Sequence, residues 1–422
     1  MLQSTSVMDR ARALHRRELG VPPSMGATAP GTWCIVGEHT DEFGGTVVIA
    51  PLDLATAVVL SPRKDGMLSV RGDFAGFPIA QETARFRHST SHSGLLARAA
   101  RLIVTLIQRQ MLSRDTSGFD LTVCSDVPLG SGLGALHSFD AALGLALYPE
   151  AHPLAESPSR ARLASVCTQA VRSLPGAQVL RARHIAALRG VSGRPCMVDY
   201  SDGSVTETPP LHSPRTVALG IAPGGAESTT NLVHEGADKP RDTPRPAPSA
   251  ESPHSPEDAA VLARRRLIED AAHAFGTECL RLLPDSTPRV LDWLKAVYAV
   301  HGPQGYPSVE EAATLLRFWE EETHRSHRLV SLLRGRREGE VPALLNESRE
   351  AVAKAYGEAA SGLVGECLRR GASGVRLARA GVSEWVTVLV GAEEAEALRE
   401  RMATTREIVV LRPGDIAQAQ EG

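Results

Sequence analysis

The chain has 422 residues, too many for one small core, and length alone suggests roughly two or three domains, or two that share one interface. Residues of the AVILMFWYC set make up 42% and charged residues 23%, an ordinary composition that excludes wholesale disorder. With 46 basic against 49 acidic residues the net charge is −3, which argues against a nucleic-acid partner and against a polybasic membrane anchor.

Met1–Leu19 carries Arg10, Arg12, Arg16 and Arg17 but no apolar segment, so it does not read as a secretory signal. Thr32–Gly37 and Thr46–Leu60 are rich in β-branched residues and read as strands. Leu95–Met111 sets Leu96, Ala99, Ile103 and Leu106 at helical spacing. Phe119–Cys124 reads as a short strand, Gly130–Gly134 as a glycine-rich turn and Ser138–Leu147 as a helix of small residues. Cys196–Tyr200 and Val217–Ile221 read as further strands. Beyond residue 258 the pattern turns helical, over Asp258–Leu283, Val309–Leu333 and Pro342–Ala360. The chain closes with strands at Gly374–Ala380, Trp385–Val390 and Ile408–Leu411 around a helix at Glu393–Thr404. Strands and helices mixed in two halves predict an α+β architecture.

His234–Asp258 breaks this pattern. It carries Pro240, Pro244, Pro246, Pro248, Pro253 and Pro256 and no large apolar residue, and is expected to be a disordered loop. There is no internal repeat. No apolar run reaches the ~18–20 residues of a membrane span, so no membrane partner is expected. The six cysteines are scattered without a CxxC pair, which speaks against a zinc site or a disulfide framework and for a cytoplasmic location. Cys34, Cys124 and Cys196 lie in apolar runs and read as buried small hydrophobes.

Three stretches carry chemistry. In Ala29-Pro30-Gly31-Thr32-Trp33-Cys34-Ile35-Val36-Gly37-Glu38-His39-Thr40-Asp41, a strand runs into a turn with two carboxylates and an imidazole. Such a cluster can bind several sugar hydroxyls, since carboxylates accept and histidine can donate; it reads equally as a charged, turn-forming loop. In Ser125-Asp126-Val127-Pro128-Leu129-Gly130-Ser131-Gly132-Leu133-Gly134, glycines between a strand and a helix suit an anion cradle of backbone N–H groups. Glycine turns before helices are also common without any ligand. The third stretch is Gly374-Val375-Arg376-Leu377-Ala378-Arg379-Ala380-Gly381.

Together and in this order the motifs resemble those of galactokinases, in the GHMP small-molecule kinase superfamily. The first, closed by Gly44 and Gly45, is similar to the family's N-terminal signature, and the second to its phosphate loop. Asn346-Glu347-Ser348, with His327-Arg328-Leu329 before it, matches a further family segment. The resemblance spans roughly residues 10–412. It implies a two-lobed GHMP kinase fold with the ligand cleft between the lobes, residues 1–200 forming one lobe and 201–422 the other, with the insertion at about 234–258 in the second. It implies Glu38, His39 and Asp41 as sugar-binding residues. Gly130, Ser131, Gly132, Leu133, Gly134 and Ser138 are implied for the nucleotide phosphates. ATP and Mg²⁺ are the implied cofactors, and ATP-dependent phosphorylation of the galactose 1-hydroxyl is the implied reaction.

The departures fall at the chemistry. Galactokinases carry an arginine where this chain has Thr32. In the ungapped frame set by Gly176, Gly190, Gly193 and Asp199, the family's catalytic aspartate becomes Arg183, the glutamine after it His184 and a nearby glycine Leu180. A guanidinium cannot accept the proton that a carboxylate accepts. Family serines of the phosphate loop are replaced across Gly134-Ala135-Leu136-His137, leaving Ser138 with Ser131 nearby, so Mg²⁺ binding is in doubt. The third motif puts Arg379 and Glu384 where the family has glycines. The mid-chain tyrosine that covers the sugar has no counterpart between Tyr200 and Tyr298. Asp126, Asp140 and Asp199 are candidate replacement carboxylates, although Asp199 already holds a family position. These losses predict weak or absent phosphotransfer, with no intact catalytic pair at Thr32 and Arg183. The alternatives are a kinase of another sugar, a non-catalytic sugar- or nucleotide-binding regulator (a pseudokinase) with a protein partner, or a decaying paralogue. Arg183 is also placed to pair with Glu38 or Asp41, and His137 and His184 read as packed or surface histidines.

Overall fold

The computed structural model describes residues 5–421 apart from 86–93, 149–157, 175–179, 212–215, 224–255, 303–304, 357–361 and 379–382. The segment expected to be disordered falls almost wholly outside the described residues, as do Arg379, Ala380 and Gly381 of the third motif and Gly176.

The chain begins with α1 (Val7–Leu19), β1 (Met25–Val36), β2 (Thr46–Pro62), β3 (Met67–Phe74), β4 (Phe77–Arg85), α2 (Gly94–Gln108), β5 (Phe119–Ser125) and α3 (Ala135–Leu147). It continues with α4 (Pro158–Arg172), α5 (Arg181–Arg189), β6 (Cys196–Asp199), β7 (Val205–Glu207), β8 (Thr216–Ile221), α6 (Pro256–Phe275), α7 (Ser286–His301) and α8 (Val309–Arg334). It ends with α9 (Val341–Tyr356), α10 (Gly362–Arg369), β9 (Ala372–Leu377), β10 (Val386–Gly391), α11 (Ala392–Ala403), β11 (Ile408–Leu411) and β12 (Gln418–Glu421).

These elements build two sheets, as an α+β chain should. The larger runs β12-β1-β2-β5-β3-β4, with β6 and then β7 added alongside the first half of β2. Its pairings are antiparallel except β3 with β5. The smaller runs β11-β8-β10-β9 and is antiparallel throughout. β2 joins the two motif regions: Thr46–Ile49 pair with β6, while Thr56–Pro62 pair with β5 and lead to the glycine loop.

Helix α3 is buried along nearly its whole length, because Ala141, Ala142, Gly144 and Ala146 are small and apolar and its Ser138 and Asp140 find buried partners. It lies against β1 and β2. A Cβ on Gly144 would sit 3.0 Å from Leu163, so the glycine lets α4 approach closely. Helix α8 starts with a capping box, in which Ser308 accepts from the Glu311 N–H and the Glu311 carboxylate accepts from the Ser308 N–H. Cys34, Cys124 and Cys196 are buried, as expected. No described helix is long and apolar enough to cross a membrane.

The differences from the sequence reading have local causes. The helix expected over Asp258–Leu283 stops at Phe275, where Gly276 turns to φ +63° and its N–H bonds the His273 carbonyl. A separate 3₁₀ turn follows at Leu280–Leu282. Helix α2 ends at Gln108 rather than Met111, with Gln110 at φ +58°. Helix α3 begins at Ala135, three residues before the expected start, because Gly134 serves as its N-cap.

Candidate functional site

The glycine loop links β5 to α3. Gly130, Gly132 and Gly134 have φ of +73°, +72° and +81°, conformations that glycine alone adopts without strain. The Ser131 hydroxyl donates to the Pro128 carbonyl at 2.6 Å and accepts from the Leu133 N–H at 3.2 Å, which closes the turn on itself. Strand β1 holds the loop through the Thr32 N–H, which donates to the Leu133 carbonyl at 2.7 Å. Ser383 donates to the Gly130 carbonyl. The N-terminus of α3 has no side-chain cap and no acidic residue in its first turn. Ser138, expected to face the phosphates, is buried; its hydroxyl bonds Thr56 at 2.6 Å and donates to the Ala135 carbonyl at 2.8 Å.

The carboxylate-bearing turn lies between β1 and β2. Gly37 opens it at φ +99°, and a Cβ there would stand 2.3 Å from the Thr46 carbonyl oxygen. Glu38 is buried, 2% exposed. Its Oε1 lies 3.5 Å from Arg183 Nη2 and its Oε2 3.6 Å from Arg376 Nη1, and Oε2 accepts no hydrogen bond. His39 takes φ +66° and stacks on Tyr356, ring centroids 4.3 Å apart. The Arg264 guanidinium lies 4.8 Å from the Tyr356 centroid, and Trp319 Nε1 donates to the Tyr356 hydroxyl at 3.0 Å. Asp41 is half-buried. Burial pushes its carboxyl above the usual range, against the opposing charges of His39, Arg172 and Arg181.

Arg183 joins the two motifs. It comes from the first turn of α5 and is 1% exposed. Nη1 donates to the Thr32 carbonyl at 2.5 Å and to the Thr32 hydroxyl at 3.0 Å. Nη2 donates to the Gly132 carbonyl at 2.7 Å and faces Glu38. Of the two pairings the sequence allowed for Arg183, the one with Glu38 forms.

The candidate replacement carboxylates have other partners. Asp126 pairs with Arg10 at 2.6 Å on the surface. Asp140 takes a two-pronged bond from Arg98 at 2.6 and 2.5 Å and a third contact from His184 Nε2 at 2.9 Å. Asp199 pairs with Arg281 and accepts from Ser201. His184 also bonds Thr168, and His137 packs at 4.9 Å from its ring, with Nε2 accepting from the Leu180 N–H. Both histidines are buried members of the α3–α4–α5 packing.

Sequence reasoning missed Arg376 and Glu322. Glu322 of α8 is fully buried and accepts from the Gly37 N–H at 3.0 Å and the Ser348 hydroxyl at 2.6 Å. It also meets Arg376 at 3.4 Å and Arg325 at 3.1 Å. Asn346 donates to the Ser373 carbonyl and accepts from the Val375 N–H, fastening α9 to β9. A signal for the pair existed. Glu322 interrupts the buried stripe Leu315–Trp319–Ser326–Leu329 of α8, and Arg376 stands between Val375 and Leu377 in a strand. A charge on a buried face requires a partner.

Two solved structures share this arrangement of sheets and helices over nearly the full chain. The galactokinase of Lactococcus lactis complexed with galactose superposes with TM-score 0.71 at 16% identity, covering 99% of this chain and 100% of that one. The mevalonate kinase of Methanococcus jannaschii gives 0.57 at 11% identity, covering 93% and 99%. The fold is therefore that of the GHMP small-molecule kinases. Within that class, the galactokinase galactose-binding signature matches residues 13–62. Human galactokinase is 31% identical over 283 residues, 66% of this chain and 64% of its own length. The chain is thus similar to galactokinases in sequence and in fold, and its alignment spans somewhat less than two thirds of the length of that human relative.

Proposed function

We propose that this protein is a galactokinase-family member in which phosphoryl transfer from ATP to galactose is weak or lost. In this reading the cleft between lobes of residues 1–200 and 201–422 still takes ligands. The carrying observation is Arg183: a buried guanidinium bonded to Thr32 and Gly132 stands between the glycine loop and Glu38, where the reaction needs a proton acceptor. Glu38 is engaged by two arginines and His39 by Tyr356, so two of three residues implied for sugar hydroxyls have internal partners.

The glycine loop supports a second reading, a nucleotide-binding regulator, because its cradle is made of backbone that side-chain replacement leaves intact. The residues present suit a polyphosphate chain. They do not suit Mg²⁺, which needs several oxygen ligands in near-octahedral array. The hydroxyls of Ser131 and Ser138 and the carboxylates of Asp126, Asp140 and Asp199 are engaged elsewhere, and among the described residues no cluster of three or more His, Cys, Asp or Glu is placed to hold a metal ion.

The test is galactose-dependent ADP release with Mg-ATP, run beside a panel of other monosaccharides. The expected outcome is background with galactose. Turnover near the ~10 s⁻¹ of a median enzyme would sink the proposal; turnover with a different sugar would replace it by a change of substrate.

A further inference from the structure

The poor fit for a divalent cation has a counterpart in charge. The N-terminus of α3 is the positive end of a 13-residue helix dipole, without a side-chain cap and without an acid in its first turn. Against it lies a second positive feature. A Cβ built on the N-cap residue Gly134 would stand 3.1 Å from Arg183 Nη1. Two positive features meeting in a buried, low-dielectric place repel each other unless an anion joins them. Glu38 serves this only in part. At 3.5 Å from Arg183 it is beyond the ~2.7–2.9 Å of a full charge-assisted bond. It is also shared with Arg376, and its Oε2 accepts nothing. Behind it Arg376 leans on Glu322, which is itself shared with Arg325, while Arg325 also pairs with the more exposed Glu321.

Among the described residues the opposite side of the loop is open. Gly130, Gly132 and Gly134 are half-buried rather than enclosed, and Leu136 of the first helical turn is 37% exposed. An anion can therefore reach the helix N-terminus from solvent while Arg183 remains beneath the loop.

We propose that the glycine loop binds free polyphosphate rather than its magnesium complex, with Arg183 supplying from within the protein the positive charge that a divalent cation would bring. The inference rests on the reading of this loop as an anion cradle. Arg183 is a positioning and electrostatic residue here. It holds the Gly132 carbonyl inward and raises the potential at the α3 N-terminus without touching the ligand. A Mg²⁺ ion carried in with ATP would meet that buried cation, and among the described residues no cluster of three or more His, Cys, Asp or Glu is placed to hold it.

The experiment measures equilibrium binding of ATP and of inorganic tripolyphosphate to the full chain, in EDTA and in excess Mg²⁺. Binding in EDTA should equal or exceed binding in Mg²⁺ for both probes. Arg183→Gln should weaken metal-free ATP binding about tenfold or more, while Arg183→Lys should keep the preference for metal-free ligand. Glu38→Gln keeps the guanidinium and removes its nearest counter-charge, and should tighten metal-free ATP by about threefold or more. It decides the matter if Arg183→Gln does not fold. The inference is overturned by a tenfold gain from Mg²⁺, by failure of both probes to bind, by a folded Arg183→Gln variant with unchanged metal-free affinity, or by an inert Glu38→Gln. Sugar turnover is read separately. A working galactose kinase would defeat the functional proposal, whereas Mg²⁺-strengthened binding without turnover would defeat this inference alone.

Discussion

The glycine loop and the carboxylate turn sit on neighbouring strands and have fared differently. The loop keeps its geometry, with three glycines at positive φ, a hydroxyl closing the turn and a helix start without a cap. The turn keeps its residues, but Glu38 faces two arginines and His39 lies under Tyr356. A site made of backbone amides needs only the backbone path, which glycine and strand pairing enforce. A site made of side-chain carboxylates is satisfied by any buried cation that comes within reach. One such cation, Arg183, reaches both regions, so substitutions can separate what belongs to each.

The largest expected effect is a failed repair. Arg183→Asp supplies the carboxylate that the resemblance implies at this position, yet galactose turnover should stay at least about a thousandfold below an ordinary ~10 s⁻¹. Thr32 and Leu180 remain, the loop still lacks its serines, and the new carboxylate would face Glu38; groups that act as a unit do not recover one at a time. Coupled ADP release measures it, and recovery to within tenfold of the ordinary rate would show that the turn was only blocked by Arg183.

Stability should divide along the same line. Glu322→Ala leaves Arg376 without its second carboxylate and the Gly37 N–H without an acceptor, at a cost of about 3–5 kcal/mol in denaturant unfolding. A loss below about 1 kcal/mol would mean that the ion cluster behaves like a surface network. On the loop side, Gly134→Ala forces φ +81° on alanine and brings a Cβ 2.7 Å from the Thr32 hydroxyl. It should cost about 1–3 kcal/mol and weaken nucleotide binding; unchanged binding would show that the backbone path is not what the ligand reads. Smaller still, Tyr356→Phe removes the acceptor for Trp319 Nε1 and should cost about 1 kcal/mol while leaving the His39 stack in place.

A baseline comes from His15, which lies under the sheet that carries both regions. It is fully buried between the hydroxyls of Thr122 and Ser61, and burial, aided by Arg71, lowers its pKa from the ordinary 6.5. The folded state thus favours the neutral ring, while the unfolded chain takes up the proton first. Stability should fall as pH drops below about 6.5 towards the lowered folded value. Urea melts across that range measure it, and His15→Gln should flatten the slope there; an unchanged slope would assign the acid sensitivity to other groups.

Most of the scaffold around these sites was legible in the sequence. Strands β2, β5, β8 and β11 and helix α8 lie within a residue or two of their expected bounds, because apolar periodicity and β-branched runs report burial directly. Helices α1, α4, α5, α7 and α10, strand β7, the β3–β4 hairpin and strand β12 were not anticipated. Residues 67–85 mix Arg71, Asp73, Gln81 and Glu82 with their apolar neighbours, and β12 is four residues long and mostly polar. At the site, the sequence singled out Thr32 and Arg183, and the structure brings the two together through the bonds from the Arg183 guanidinium to the Thr32 carbonyl and hydroxyl. The clamp on Glu38 was half legible. Arg183 was foreseen as a partner, whereas Arg376 and Glu322 are joined to it only by the packing of α8 and α9 against β9 and the β1–β2 turn, contacts across hundreds of residues that no local pattern records.

The short last strand bears on how the molecule is made. β12 pairs with the start of β1, Glu421 opposite Met25 and Gln418 opposite Thr28, and so closes the edge of the larger sheet. A ribosome delivers Met25 long before Glu421. Until β12 emerges, that edge of β1 presents unsatisfied amides and carbonyls to its surroundings. That edge is sealed only when β12 docks, so loss of residues 418–421 would leave a sticky edge on an otherwise assembled fold.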